Sequence, residues 1–364
     1  MAFQLPPFHP PAFDQPPLNN APPAALVAVE YDGVAPVGYH ATSNHPEYIC
    51  LGDGNWLLAT KSRMDGVLVL KDKFLEVREP RTLRRGELVV VGRSENGEEG
   101  ILVHVNGFNS STDQQKEKFS FRTRGTRETP FSRSYDELYD LLRYEKEHGY
   151  IVWILGPAAV FDRDSRAGMQ GLIEHGFCHA LLAGNALATH DFEAALFGTG
   201  LGQDIYSQKL HALGHYHHLD AINQVRQVGS IRKALHSLAI KDGIMYACEH
   251  SNIPYVLAGS IRDDGPLPGV IADAYEAQKA MRFHARKATT VISIATQLHS
   301  IATGNMTPSY TVTNTGQVRP VYFYIVDMTE FSVDKLANRG SNQATSILTN
   351  AQDFIVNLWN NLSS

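Results

Sequence analysis

From Tyr150 onward the chain keeps producing short apolar runs that do not alternate with polar residues, at 150–155, 179–183, 254–257, 290–295 and 321–326. A strand with one wet face alternates, whereas a run apolar throughout suits a strand covered on both faces. Helix-like stretches lie between and after these runs, at 168–176, 192–197, 221–240, 336–340 and 351–361. One more precedes them at 134–148, where Ser134 and Glu137 have capping-box spacing and Leu138, Leu141 and Leu142 line one face. The pattern predicts an α/β fold, a Rossmann-like parallel sheet with helices on both faces. Ligands of such sheets bind beyond the carboxyl ends of the strands.

The earlier residues have a different texture. Strand-like runs at 25–31, 66–70, 87–92 and 100–105 are separated by Asp32-Gly33 and Asn96-Gly97, which predicts a small β-rich domain, barrel-like in closure. The first 23 residues hold eight prolines, so they form neither a helix nor a central strand. They read as an extended arm, loose or laid along another subunit, with Phe3, Phe8 and Phe13 as anchors. The boundaries that follow are 1–24 for the arm, 25–133 for the β-rich domain and 134–364 for the Rossmann-like catalytic domain. The polar, basic stretch 109–133 reads as a surface loop.

Composition removes several function classes. A net charge of −6 with no long Lys/Arg cluster speaks against a nucleic-acid partner. No apolar run approaches the roughly 20 residues of a membrane span, and the N-terminus lacks a basic, then apolar, leader. Cys50, Cys178 and Cys248 form no C-x-x-C pair, which supports neither a zinc site nor a disulfide framework and fits a reducing cytoplasm. Cys248 reads as a buried, inert thiol.

Three runs carry the candidate ligand chemistry. They are 182–191, 258–268 and 299–305, each rich in Gly, Asn or Asp and each following an apolar run. Read as loops, they gather on one edge of the sheet, where a nucleotide cofactor is the natural occupant. There is no strict G-x-G-x-x-G; Gly156, Pro157 and Ala158 stand as a shorter substitute after the first strand. The cofactor set is completed by Gly184, Asn185, Ala186, Leu187, His190 and Asp191, then Gly259, Ser260 and Ile261, then Gly304 and Asn305. Asp327 closes the strand at 321–326, placed either to accept ribose hydroxyls or to cap a helix. Asp263 and Asp264 are adjacent carboxylates in a glycine-bounded loop, a setting for acid/base work or for an Asx-capped turn. His211, His215, His217 and His218 are dense enough to suggest a metal, with only Asp220 nearby; a proton carrier or phosphate contact at His217 or His218 is the preferred reading, and no metal is assigned.

Taken together, 156–158, 181–191, 197–202, 214–223, 243–246, 256–268 and 298–305, extended by Val326-Asp327 and 338–341, are far more specific than any one run. The chain from about Gly149 to Asn350 resembles the NAD-dependent ornithine cyclodeaminases of the archaeal type. The same module forms the C-terminal part of bifunctional arginine dihydrolase/ornithine cyclodeaminases, also labelled the LOR/SDH conserved region. The resemblance implies a deoxyhypusine-synthase-like fold, a held NAD and a basic amino acid as the small-molecule substrate. It implies conversion of L-ornithine to L-proline and ammonia, with the dinucleotide used and restored. Within that frame Arg262 is placed to anchor the carboxylate, Asp263 or Asp264 to pair with an amine or move a proton, and His299 and His218 to shuttle protons. A homo-oligomer is expected, because loops at strand ends often meet across a dimer interface. Two features depart from the family: residues 1–110 lie outside the resemblance, and the charged segment 160–166 stands where a shorter one is expected. Three rivals stand beside this reading: oxidation followed by amine capture from a second molecule, action on another basic or guanidino amino acid, or a dinucleotide-bound sensor or scaffold without catalysis.

Overall fold

The computed structural model describes residues 3–108, 131–313, 315–328 and 344–363. The basic stretch read as a loop lies outside them as far as residue 130, as do the helix read at 336–340 and the run 338–341. The chain divides into two compact units. One draws on Met1–Glu137 and Asn305–Val321, the other on Leu138–Gly304 and stretches from Tyr322 onward.

The first unit is β-rich. Strands β1 (Ala25–Ala28), β2 (Glu47–Cys50), β3 (Trp56–Leu58), β4 (Val67–Lys71), β5 (Phe74–Arg78), β6 (Leu88–Val91) and β7 (Ile101–Val103) make two open antiparallel sheets, β1-β6-β4-β5 and β3-β2-β7, in place of a closed barrel. Ile49, Leu68, Val90 and Ile101 are fully buried between them. The described part of the proline-rich arm packs on its own unit. Phe13 stacks on Trp56 and meets Tyr48 edge-on, and Phe8 packs on His104 and Phe108, all within this unit. Strands β2, β3 and β5 escaped the sequence reading because they are only three to five residues long.

In the second unit, helix α1 (Phe131–His148) begins three residues before the capping box expected at Ser134. It is followed by β8 (Ile151–Leu155), α2 (Arg163–Glu174), β9 (Ala180–Gly184), α3 (Asn185–Phe197) and the two-residue strands β10 (Thr199–Gly200) and β11 (Gln203–Asp204). Then come α4 (His217–Val228), α5 (Ile231–Ser237), α6 (Ile244–His250), β12 (Tyr255–Ala258), α7 (Ala274–Ala285), β13 (Thr290–Ile294) and α8 (Gln297–Met306). The hairpin β14 (Tyr310–Val312) and β15 (Val318–Pro320) belongs to the first unit, and β16 (Tyr322–Asp327), β17 (Ala344–Leu348) and α9 (Ala351–Leu362) complete the second.

The long helix expected at 221–240 is two helices. Gly229 turns left-handed at φ +86° to end α4, and the Ser230 side chain accepts from the Lys233 amide to start α5. The run 299–305, expected as a loop, is helical within α8.

The main sheet has six parallel strands in the order β12-β9-β8-β13-β16-β17. Every residue of β8 and β13 is buried, Trp153 included, as expected for strands with helices on both faces. Gly171 on α2 leaves room for the Trp359 ring of α9; a Cβ there would lie 2.6 Å from it. Renumbered within the sheet, the order is 3-2-1-4-5-6. The strand order therefore reverses between β8 and β13, and a crevice opens beyond their carboxyl ends.

Candidate active site

The crevice is built by two strand-to-helix turns. At the first, Gly156 donates its amide to Ile294 O at 2.9 Å, holding β8 against β13. A Cβ at Gly156 would sit 2.0 Å from Ala295 O, so only glycine lets the two backbones meet here. At the second, β9 passes into α3 with no loop. Gly184 is the N-cap, and no side chain caps the helix. The run 182–191 is thus a strand end and a helix start, and the amides of the first turn of α3 keep their partial positive charge. A Cβ on Gly184 would lie 3.0 Å from His299 Cε1, so this glycine makes room for the imidazole.

A cavity of ≈ 510 Å³ lies over these turns. Of the residues singled out in the sequence, Gly156, Pro157, Gly184, Asn185, Ala186, Leu187 and His190 line it, with His218, Ser260, Arg262, Asp263, Asp264 and His299. Ala158 and Asp327 line a second cavity of ≈ 450 Å³ beyond β13 and β16, beside the start of α9. The other five line neither. Asp191 is buried in an ion pair with Arg166 and accepts the Ile244 and Met245 amides, capping α6. Gly259 donates its amide to Ile271 O, and Ile261 points to solvent. Gly304 and Asn305 fall at the far end of α8, where the Asn305 carbonyl accepts the Met64 amide within the first unit. The helical conformation of this run, with only its first turn at the strand end, carries those two away.

The charges of the segment 160–166, which departs from the family, serve the fold. The Asp162 carboxylate caps α2 by accepting the Ser165 amide at 2.9 Å. Arg166 pairs with Asp191 at 2.7 Å and Asp242 at 2.8 Å. Burial works against the Arg166 charge, and the two carboxylates more than offset it. Phe161 is the member of this segment that reaches the cavity.

Three imidazoles face the cavity in different settings. His299 is held below the ordinary histidine range by burial, so it is neutral near pH 7; its Nδ1 lies 3.4 Å from Thr296 Oγ1. His218 Nε2 is 3.6 Å from the exposed Asp264 carboxylate. His190 Nδ1 is 2.6 Å from Glu193 Oε2, a carboxylate with no solvent exposure. Asp263 Oδ2 reaches back three residues and accepts the Ser260 amide at 2.8 Å. The remaining histidines of the dense cluster turn elsewhere: His217 stacks on Phe197 and bonds Thr199, and His215 packs on Tyr216. Among the described residues, no three His, Cys, Asp or Glu side chains are placed to share a metal ion. All three cysteines are free and buried, and burial pushes the Cys178 and Cys248 thiols up.

Two functional candidates were invisible in composition. Thr189 lines the cavity at 3% exposure, and its hydroxyl has no hydrogen-bond partner. Glu193 was legible only as an i, i+3 partner of His190, a spacing that places both on one helix face. The result is a cavity with an uncapped helix N-terminus, an orphaned buried hydroxyl, one guanidinium, two carboxylates and three imidazoles. It can seat an anionic group and move protons beside it.

The chain matches the family model for the ArgZ-like arginine dihydrolase C-terminal Rossmann fold over residues 138–358. It is 40% identical over 338 residues to the ornithine cyclodeaminase of Methanopyrus kandleri, covering 90% of this chain and 75% of that one. Its structure is similar to a LOR/SDH protein of Methanococcus maripaludis S2, with TM-score 0.84, 35% identity and coverage of 94% and 98%. It is also similar to AgrE of Nostoc, solved as a ternary complex with ornithine and NAD+, with TM-score 0.56, 31% identity and coverage of 95% and 46%. These alignments run into residues 1–110, so the likeness is broader than the sequence motifs indicated. Among the described residues, no helix is long and apolar enough to cross a membrane.

Proposed function

The chain belongs to the family of ArgZ-like C-terminal Rossmann domains and archaeal ornithine cyclodeaminases, and from that premise we propose that it is an NAD-dependent ornithine cyclodeaminase. It converts L-ornithine to L-proline and ammonia without net oxidation. The observation that carries the reading is the crevice where the strand order reverses, with the open N-terminus of α3 beneath it. The residues present fit the dinucleotide. Gly156 permits close approach at the turn, the amides of Asn185, Ala186 and Leu187 suit a diphosphate, and the unpartnered Thr189 hydroxyl awaits an acceptor. Asp327, in the adjoining cavity, suits ribose hydroxyls.

When bound, NAD would supply reversible hydride acceptance at the α-carbon of ornithine. The protein's own groups bind and orient the substrate around that exchange. Arg262 binds the α-carboxylate, a fork-shaped cation against a planar anion. Asp264, exposed and beside His218, pairs with the side-chain ammonium. The half-buried, neutral His299 stands beside the strand ends and narrows the access of water there. The second unit carries the catalysis, in a homo-oligomer that works in a reducing cytoplasm, where free buried thiols persist.

Purified protein incubated with NAD and a panel of basic amino acids tests this directly. Ornithine gives proline and free ammonia by mass, with only transient absorbance of reduced nucleotide. A heavier secondary amine would instead show capture by a second molecule. No product from any amino acid, with no transient reduction of the dinucleotide, would overturn the enzymatic reading.

A further inference from the structure

We propose that His190, oriented by the buried carboxylate of Glu193, takes the proton from the substrate's α-ammonium and later returns it to the departing nitrogen. The inference rests on the cyclodeaminase reading above and names the proton carrier within it.

Glu193 is fully buried, yet it is surrounded by donors. Its Oε1 accepts the Thr199 hydroxyl and the Gly202 amide, both at 2.9 Å, and its Oε2 accepts the Leu201 amide at 3.3 Å besides facing His190. Burial pushes this carboxyl up, but the hydrogen bonds from His190, Gly202 and Thr199, with the attraction of the His190 ring, outweigh it and hold it below the ordinary range. An ionised carboxylate only accepts, so His190 Nδ1 carries a hydrogen and donates it. In the neutral form of the ring the other nitrogen, Nε2, then carries the lone pair, and the ring lines the cavity. Phe161 meets the ring edge-on at 5.2 Å, which further fixes its plane.

The other titratable and charged groups around this ring come from three more elements. His218 on α4 lies 6.0 Å away, centroid to centroid, and leans on Asp264. Arg262 and Asp263 enter from the segment after β12, and His299 from α8. None of them matches the His190–Glu193 geometry. His218 and Asp264 are 3.6 Å apart with Asp264 two-thirds exposed, His299 faces a hydroxyl, and Asp263 is spent on the Ser260 amide.

The bonds balance. An N–H bond of the α-ammonium breaks and an Nε2–H bond forms, which frees the nitrogen lone pair that must assist loss of hydride from the α-carbon. The side-chain ammonium gives a proton to water at the exposed Asp264, its free amine adds to the oxidised carbon, and the surplus proton on that nitrogen leaves by the same way. The Nε2–H bond then breaks and its proton passes to the outgoing nitrogen, which leaves as ammonia. Glu193 remains ionised throughout and acts as a positioning residue, stabilising the imidazolium between the two transfers.

The full-length chain saturated with NAD provides the test. In His190→Asn, kcat for ornithine falls by about 10²–10⁴, while the dinucleotide dissociation constant and the ornithine KM change by no more than about threefold. Added imidazole restores part of the turnover of His190→Ala. In Glu193→Gln, ¹⁵N histidine spectra, with the His190 signal assigned by its loss in His190→Asn, move from the Nδ1–H to the Nε2–H tautomer, a change that mere loosening of the fold does not produce. Thr199→Val, which removes one of the donors to Glu193, keeps the fold and lowers kcat without raising KM. Retention of wild-type kcat in His190→Asn, or of the Nδ1–H tautomer in Glu193→Gln, overturns the dyad. Wild-type protein inert toward ornithine overturns the cyclodeaminase reading instead.

Discussion

The two strand-to-helix turns at the crevice differ in one respect that decides what each can bind. After β8, the next full helix, α2, begins with Asp162 folded back onto the Ser165 amide. The chain's own carboxylate fills the place where an anionic ligand would sit. After β9, α3 begins at Gly184 with no side chain over its amides. In a sheet of order 3-2-1-4-5-6 the first turn is the usual seat for a dinucleotide's phosphates. Here that helix end is closed and the second is open. Strand order places the crevice, and the N-cap residue decides which helix end inside it is available.

The helices behind the turns are tied by the buried Arg166–Asp191 pair, and breaking that tie has the largest expected effect. Asp191→Ala leaves Arg166 with the exposed Asp242 alone and strips the cap from α6. A loss of about 3–5 kcal/mol is expected from removing one partner of a buried pair, read as a lower urea midpoint with unchanged slope. If Asp191→Ala instead kept its stability and lost NAD affinity, Asp191 would face a ligand and the contrast between the turns would fail.

A pair of glycine substitutions sharpens the contrast. Gly156 and Gly184 have nearly the same backbone angles, φ −86° and −87°, both ordinary for alanine. Only the surroundings differ. Gly156→Ala drives a Cβ into the Ala295 carbonyl, a backbone atom that cannot give way, so overpacking costs about 1–3 kcal/mol in thermal or urea unfolding. Gly184→Ala meets the edge of a side chain, His299, which can shift. Its stability changes by less than about 1 kcal/mol, and its effect appears as weaker dinucleotide binding measured by calorimetry.

These contrasts show what could be read from the sequence. Non-alternating runs such as 150–155 announced the parallel sheet, because burial on both faces leaves no room for polar residues. The Gly-Asn pair at 184–185 marked a backbone turn, since small residues are visible as letters, but that a helix starts there without a cap was not legible. The fates of Asp191 and Glu193 were not legible. They lie two residues apart on α3, and only packing reveals that one meets Arg166 and the other His190. Gly304 and Asn305 misled because the composition that suits a loop also fits the end of a helix. The break at Gly229-Ser230 was written in capping residues but was overridden by the surrounding helical periodicity.

Asp162→Ala probes the closed turn alone. Loss of an N-cap carboxylate costs about 1 kcal/mol, seen as a small drop in the urea midpoint. It also uncovers the α2 amides. Dinucleotide affinity stays unchanged if the ligand's phosphates rest on α3, and it rises if they reach the first turn as well.

The smallest effect concerns pH, and it arises from the open turn. His299 is half-buried against Gly184, and the loss of water around the ring holds its imidazole below the ordinary value of 6.5. Above that value the residue is neutral in both the folded and the unfolded chain and contributes no pH dependence. As pH falls through it, the unfolded imidazole binds a proton while the folded one does not, so the unfolded state holds more protons and the unfolding free energy falls. The loss levels off once pH drops past the lower folded value. His179 and His284 in the same unit are also held down by burial and act in the same direction. The contribution of His299 is therefore the difference between wild type and His299→Gln, which shows the shallower decline between neutral and acid pH. A dinucleotide seated over Gly184 would dry this ring further, so saturating NAD should widen that difference in the wild type. If NAD left it unchanged, the cofactor would lie elsewhere than on the open turn.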